Sequence, residues 1–146
     1  MNNAKDLIFD FTAFTGSLNQ YSHKLPMTPE LRLTDGTKAF AEKMGAYWFM
    51  DIVATEFLPL LSEEDYIIFI EIKPKIVDDD TGAIIIGTDG DKGSGPITLH
   101  TRVVRYTDLF EGTVYENMAH QYLEYEKQKG FKFYLSDGLL MLPSEY

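Results

Sequence analysis

The sequence predicts a single α+β domain. Two N-terminal helices are expected to pack on one face of a mainly antiparallel sheet of about five strands, with a third helix before a C-terminal β-hairpin. Three observations carry that expectation. The length of 146 residues suits one domain with its own core. Apolar residues recur at helical spacing up to residue 58, then switch near residue 66 to a period of two or to isoleucine-rich runs. The closing segment, FKFYLSDGLLMLPSEY, sets two apolar runs around an Asp-Gly turn dipeptide.

The first helix is expected over NNAKDLIFDFTAFTG. Asn3 is placed to cap it, Asp6 lies in its first turn, and Leu7, Ile8, Phe11 and Phe14 form its apolar stripe before Gly16 ends it. Residues 17–35 read as a connector, because Pro26 and Pro29 oppose a continuous element. Within it Tyr21, His23 and Leu25 alternate, as do Leu31 and Leu33, which allows short extended pieces. The main helix is expected from Thr34 or Asp35, as cap, to Pro59. On a continuous wheel Phe40, Met44, Tyr47, Trp48, Ala54 and Leu58 share one side, with Phe49 and Val53 opposite, so the helix reads as buried.

YIIFIEIKPKI, AIIIGT and ITLHTRVVRYTD read as three strands, separated by the turn-forming VDDDTG and DGDKGSGP. The third helix is expected over residues 113–129, with Thr113 and Glu116 as capping box and Gly130 as its end. The last hairpin alternates Phe131, Phe133 and Leu135 with Lys132 and Tyr134, turns at Asp137–Gly138, and returns through Leu139 to Leu142 before Pro143 stops the ladder. A hairpin alone is marginal in water, so this one is expected to belong to the sheet.

The formal net charge is −10, unevenly spread. Residues 1–60 carry 5 Lys/Arg against 7 Asp/Glu, and residues 61–146 carry 8 against 16. Such a surface repels phosphate backbones and anionic membranes, which argues against direct nucleic-acid or membrane binding. It suits solubility, or an acidic face for a partner with a basic surface. The absence of cysteine excludes thiol catalysis and thiolate metal sites and fits a reducing compartment. With no apolar run of membrane-spanning length and no signal-peptide pattern at the N-terminus, a cytoplasmic location is expected.

The stretches FTGS, YSH and LTDGTKAFAEKMGAYWFMDIVA, with the closing FYLSDGLLMLPSEY, resemble an uncharacterised bacterial family, the DUF6876 domain proteins. Members of that family also occur in phage and plasmid sequences. The resemblance covers roughly residues 7–56 and 131–146, and its fingerprint is Gly-Ala-Tyr-Trp followed closely by Asp, with Leu-Pro-Ser-Glu-Tyr. It implies one independently folding bacterial or phage domain over residues 1–146, and no reaction.

Among residues able to carry chemistry, Asp51 stands out as the single charge in AYWFMDIVA. The wheel puts it at the centre of the apolar stripe, where a carboxylate must be paired, hydrogen-bonded or protonated. It reads either as a structural Asp tied to a tyrosine, an arginine or a backbone N–H, or as a ligand-facing or acid/base group on a pocket floor. His23 is placed to approach it. The candidate ligand-binding set is therefore Tyr21, His23, Tyr47, Trp48 and Asp51. His100 reads as a mid-strand residue and His120 as an exposed helical one. No catalytic nucleophile is marked, since neither G-x-S-x-G nor HExxH occurs.

The acidic loops at 78–80 and 89–95 invite a calcium reading, but the EF-hand order is missing, and GDKGSG lacks the order of a Walker loop. Both read as hairpin loops. No metal or cofactor is expected. Of the 9 tyrosines, Tyr115, Tyr122 and Tyr125 crowd the expected third helix, which reads either as a protein interface, favoured by partly exposed tyrosines, or as a Tyr-rich helix packed on the sheet. Three functional readings fit these features: a non-enzymatic acidic protein-binding module of a bacterium or mobile element; a phage-borne inhibitor of a host defence complex; and a small-molecule binder or small enzyme using Asp51. Homo-oligomerisation stays open.

Overall fold

The computed structural model describes residue 16 and residues 19–91, 93, 95–110, 125–127 and 129–146. Two helices cover a seven-stranded mixed sheet. The strands are β1 (Tyr21–His23), β2 (Leu31–Leu33), β3 (Ile67–Val77), β4 (Asp80–Asp91), β5 (Pro96–Val104), β6 (Phe131–Ser136) and β7 (Leu139–Met141). Their order across the sheet is β1-β2-β7-β6-β3-β4-β5. All neighbours are antiparallel except β2 and β7, which run parallel with Arg32 opposite Leu139.

The count of seven corrects the expected five. The two additional strands come from the connector, where Tyr21–His23 pairs with Leu31–Leu33. Three residues are too few to register as a period, and the prolines that spoke against regular structure sit in the loop between the two strands. The acidic stretch after β3 shortens to a turn at Asp78 and Asp79, whose φ of 49° and 67° is the left-handed pair that a tight hairpin requires. The Asp137–Gly138 turn has the same form, with φ of 51° and 75°.

The expected first helix, apart from Gly16, lies outside the described residues, as does nearly all of the expected third, including Tyr115, His120 and Tyr122. At the end of the latter, residues 125 and 126 are helical, and the Tyr125 hydroxyl donates to the Gly82 carbonyl at 2.6 Å.

The main helix is two helices. α1 (Asp35–Lys43) begins at Thr34, whose Oγ1 accepts from the Thr37 N–H at 3.3 Å. It ends at Gly45, where φ is +61°, a conformation that side chains disfavour. α2 (Tyr47–Ile52) then starts afresh, widens into a π-helical turn over Val53–Phe57, and closes with a 3-10 turn over Leu58–Leu60 around Pro59. No helix among the described residues is long and apolar enough to cross a membrane.

The core lies between the helices and one sheet face. Ile68, Ile70 and Ile72 of β3 point into it, as the period of two requires. Phe133 of β6 sits under both helices, with ring centroids 5.0 Å from Phe40 and 5.1 Å from Phe49. The C-terminal residues are stitched onto the start of α1. Thr34 N–H and Thr37 Oγ1 both donate to the Leu140 carbonyl, at 3.2 and 2.8 Å. After Leu142, a 3-10 turn (Pro143–Glu145) brings Glu145 over the first turn of α1.

Candidate functional site

Tyr47 and Asp51 are four residues apart on α2, so their side chains leave the helix on the same face. Beside that face runs β1, the outer strand of the sheet. Its His23 donates from Nε2 to Asp51 Oδ1 at 2.7 Å. A carboxylate can only accept, so this contact fixes the Nε2–H tautomer and leaves Nδ1 as the basic nitrogen of the neutral ring. The Tyr47 ring lies against His23 with centroids 6.0 Å apart and planes 23° from parallel.

The contacts continue along α1. The Tyr47 hydroxyl donates to Glu42 Oε1 at 3.4 Å, and Glu42 also pairs with Lys38, one turn away. That ammonium holds the Glu42 carboxyl below its usual range, and the carboxylate in turn raises Lys38. Lys38 Nζ stands 4.9 Å from the ring centroid of Tyr21. A hydrogen bond to the Asp35 carboxylate raises the Tyr21 phenol. A strip of alternating charge and aromatic rings therefore runs from Tyr21 to Asp51 along the β1 side of the domain.

The enclosed position expected for Asp51 is corrected. Its side chain is 50% exposed, while that of His23 is 17% exposed. The continuous wheel failed because Gly45 breaks the helix and resets its phase. The buried side of the second helix is Phe49, Met50, Val53, Ala54 and Phe57, which includes the two residues the wheel put outside. Of the candidate set, Tyr21, His23, Tyr47 and Asp51 share the strip. Trp48 does not join it. Its ring packs edge-on to Phe49 at 6.3 Å and lines a separate hollow with Gly45, Val104, Tyr106, Thr107 and Asp108.

A His–Asp pair can move a proton, but a base needs something to deprotonate. Among the described residues no hydroxyl hydrogen-bonds the His23 ring, and no three His, Asp or Glu side chains converge as they would to hold a metal. The contact ties an outer strand to a helix.

A second such tie, missed in the sequence, lies at the opposite edge. Glu56, in the π-helical turn, accepts from His100 Nε2 at 2.8 Å through Oε1 and from Arg102 through Oε2. His100 and Arg102 are two apart on β5 and thus share a sheet face, a signal visible in the sequence. Their partner was hidden, because the extra residue in a π turn rotates Glu56 away from its place on an α-helical wheel.

A family model described as a family of unknown function (DUF6876) matches residues 5–146. The chain belongs to this family. No curated protein and no solved structure matches it.

In this DUF6876 domain one end of the sheet is rich in acids. The segments before β3, between β4 and β5, between β6 and β7 and between β1 and β2 all meet at one end. That end carries Glu30, Glu63, Glu64, Asp65 and Asp137, against Lys24 and Arg32 among the described residues. Asp89 lies beneath, buried, and accepts from the Ile97 N–H at 2.8 Å. Large apolar side chains are exposed at the same end: Met27 in the β1–β2 connection is 100% exposed, Tyr66 before β3 65%, and Ile97 near the start of β5 59%.

Proposed function

We propose that this domain is a non-enzymatic binding module whose acidic sheet end engages a basic protein surface. The observation that carries this reading is the exposure of Met27, Tyr66 and Ile97 among the acids of that end. Acids alone serve solubility, whereas apolar and aromatic groups rimmed by charge supply the buried contact of an interface. Six strand spacings of about 4.8 Å make this end about 29 Å wide, a span that fits a protein partner. The acids would steer and orient that partner, and the apolar groups would hold it.

We place the module in the cytoplasm of a bacterium, either as a chromosomal product or on a mobile element. In the narrower form of this reading the partner is a host defence complex and the module is its phage-borne inhibitor. Genes beside this one decide between the two forms.

The test is affinity capture from such a cell, followed by cross-linking of the captured protein. Cross-links are expected between basic residues of the partner and the 61–66 segment or its neighbours at that end. Capture is expected to weaken with salt, to fail for Glu63→Lys combined with Glu64→Lys, and to weaken for Tyr66→Ser. Cross-links confined to another face, or capture indifferent to these changes, would overturn the reading.

A further inference from the structure

We infer that the outer edge of β5 is a self-pairing surface, at which two copies of this chain join strand to strand, antiparallel, about a two-fold axis. The surface is an edge of the sheet and not its acidic end, so it stands independently of the interface proposed above.

The two edges of the sheet are unequal. β1 has three residues and is tied to α2 through His23 and Asp51. β5 has nine and pairs only with β4 among the described strands. Among the described residues no backbone group of residues 99–104 bonds outside that ladder. Every second N–H and C=O of the stretch faces outward, a template for one more strand. The usual devices against pairing are missing from it. Pro96 and the register shift lie at the start of β5, and the ladder runs regularly from His100 to Val104. No lysine stands on the strand.

Charge makes a second copy the fitting occupant. Residues 96–105 hold no Asp or Glu in a chain of net charge −10, so two copies meet there without the repulsion of their acids. Nor does the edge have surplus positive charge to recruit an acidic strand. His100 and Arg102 are both tied to Glu56, and Arg105 Nε donates to Asp80 Oδ2 at 2.9 Å.

The same chemistry selects the register. An axis normal to the sheet keeps both cores on one side, so only residues of the same face stand opposite each other. Centred on Arg102, the pairing sets that guanidinium against its own copy. Centred on Thr101, it sets Arg102 against His100. Centred on Val103, it sets Arg102 against Val104 and Thr101 against Arg105, and no two cations are opposed. Val103 then meets Val103 of the second copy. It is 45% exposed and lies opposite Ile84 of β4. Across the seam, Ile84 and Val103 of each copy form one row of four β-branched side chains on the open face of the sheet. Pro96, where β5 leaves the acidic end, lies seven residues from the axis in each copy. The two acidic ends are thus kept about 48 Å apart.

Sedimentation velocity of the full chain over a concentration series is expected to show a reversible monomer–dimer equilibrium. Val103→Lys puts two ammonium groups face to face at the axis. With unchanged circular dichroism, it is expected to weaken the dimer about tenfold or more. The chain has no cysteine, so one introduced thiol reports on its own position. Val103→Cys sets two thiols across the seam at disulfide distance, whereas Met27→Cys sets them on fully exposed connections far from it. Under mild oxidation the 103 variant is expected to form covalent dimer at least about tenfold faster than the 27 variant. A chain that stays monomeric throughout the series, a dimer indifferent to Val103→Lys, or cross-linking no faster at 103 than at 27 would overturn the inference.

Discussion

The backbone N–H of Gly36 donates to Oε2 of Glu145 at 2.9 Å, joining residues 109 positions apart. The other oxygen, Oε1, accepts from Thr34 Oγ1 at 2.6 Å and from the Leu142 N–H at 3.0 Å. One carboxylate thus serves an unpaired donor in the first turn of α1, its capping threonine and the end of β7. A negative group at a helix start is also favoured by the helix dipole.

Glu145→Ala is therefore expected to lower stability by about 1–2 kcal/mol, the usual cost of losing a helix cap. Glu145→Gln keeps the shape and one acceptor and is expected to lose less. Gly36→Ala tests the same joint from the other side. Its Cβ would lie 2.6 Å from Glu145 Oε1 and from Leu142 Cδ1, so a loss of about 1–3 kcal/mol is expected. Urea unfolding midpoints read all three. A Gly36→Ala protein as stable as the parent would show that the two segments separate freely.

The His23–Asp51 contact is half open to water, which limits its strength. A double-mutant cycle with His23→Ala and Asp51→Ala is expected to give a coupling of about 0.5–1 kcal/mol near neutral pH, reduced by salt. An enclosed carboxylate would behave differently: removing its partner would cost about 3–5 kcal/mol. A coupling in that range would mean that Asp51 is shut away from solvent in solution.

Tyr21 offers a test at high pH. The Asp35 carboxylate accepts its hydroxyl proton and raises the phenol above its ordinary value. Folding thus favours the neutral phenol. The resulting stability is fully present below the unfolded-state pKa and is lost as pH rises through the higher folded-state value. Tyrosine ring-carbon chemical shifts followed against pH should show Tyr21 titrating above its ordinary value. Asp35→Asn should bring it back down. A Tyr21 titration indifferent to Asp35→Asn would remove the carboxylate as the cause.

Much of the sheet was legible because its signals are local. The alternation at Ile68, Ile70 and Ile72 marks a strand with one buried face, and Asp137–Gly138 marks a tight turn, whatever the rest of the chain does. The cap at Thr34 is likewise set within four residues. The phase of α2 was not legible, because a wheel drawn through Gly45 assumes a continuous helix. That error turned Asp51 inward on paper. The outer strands β1 and β2 were legible only as extended pieces, since their pairing depends on a partner rather than on a pattern.

The site was less legible than the fold. That His23 is able to approach Asp51 followed from their types and the connector between them, but the 2.7 Å contact depends on how β1 lies against α2. Glu56 and its two partners on β5 are more than 40 residues apart, and no local rule links them. The apolar groups at the acidic end were hidden for the same reason. Met27, Tyr66 and Ile97 are far apart in sequence, and only the strand register puts all three at one end of the sheet.

The strand order has a bearing on how the chain is made. The β6–β7 hairpin, synthesised after the other five strands, occupies the middle of the sheet and separates β2 from β3. While residues 131–145 are still inside the ribosome, β1–β2 and the β3–β4–β5 meander lack the keystone between them. The nascent protein must wait with both flanks of that gap unzipped, and the long-range pairings that then form are the slow kind. A product cut short before this hairpin would leave two half-sheets with bare inner edges, a substrate for proteases and chaperones.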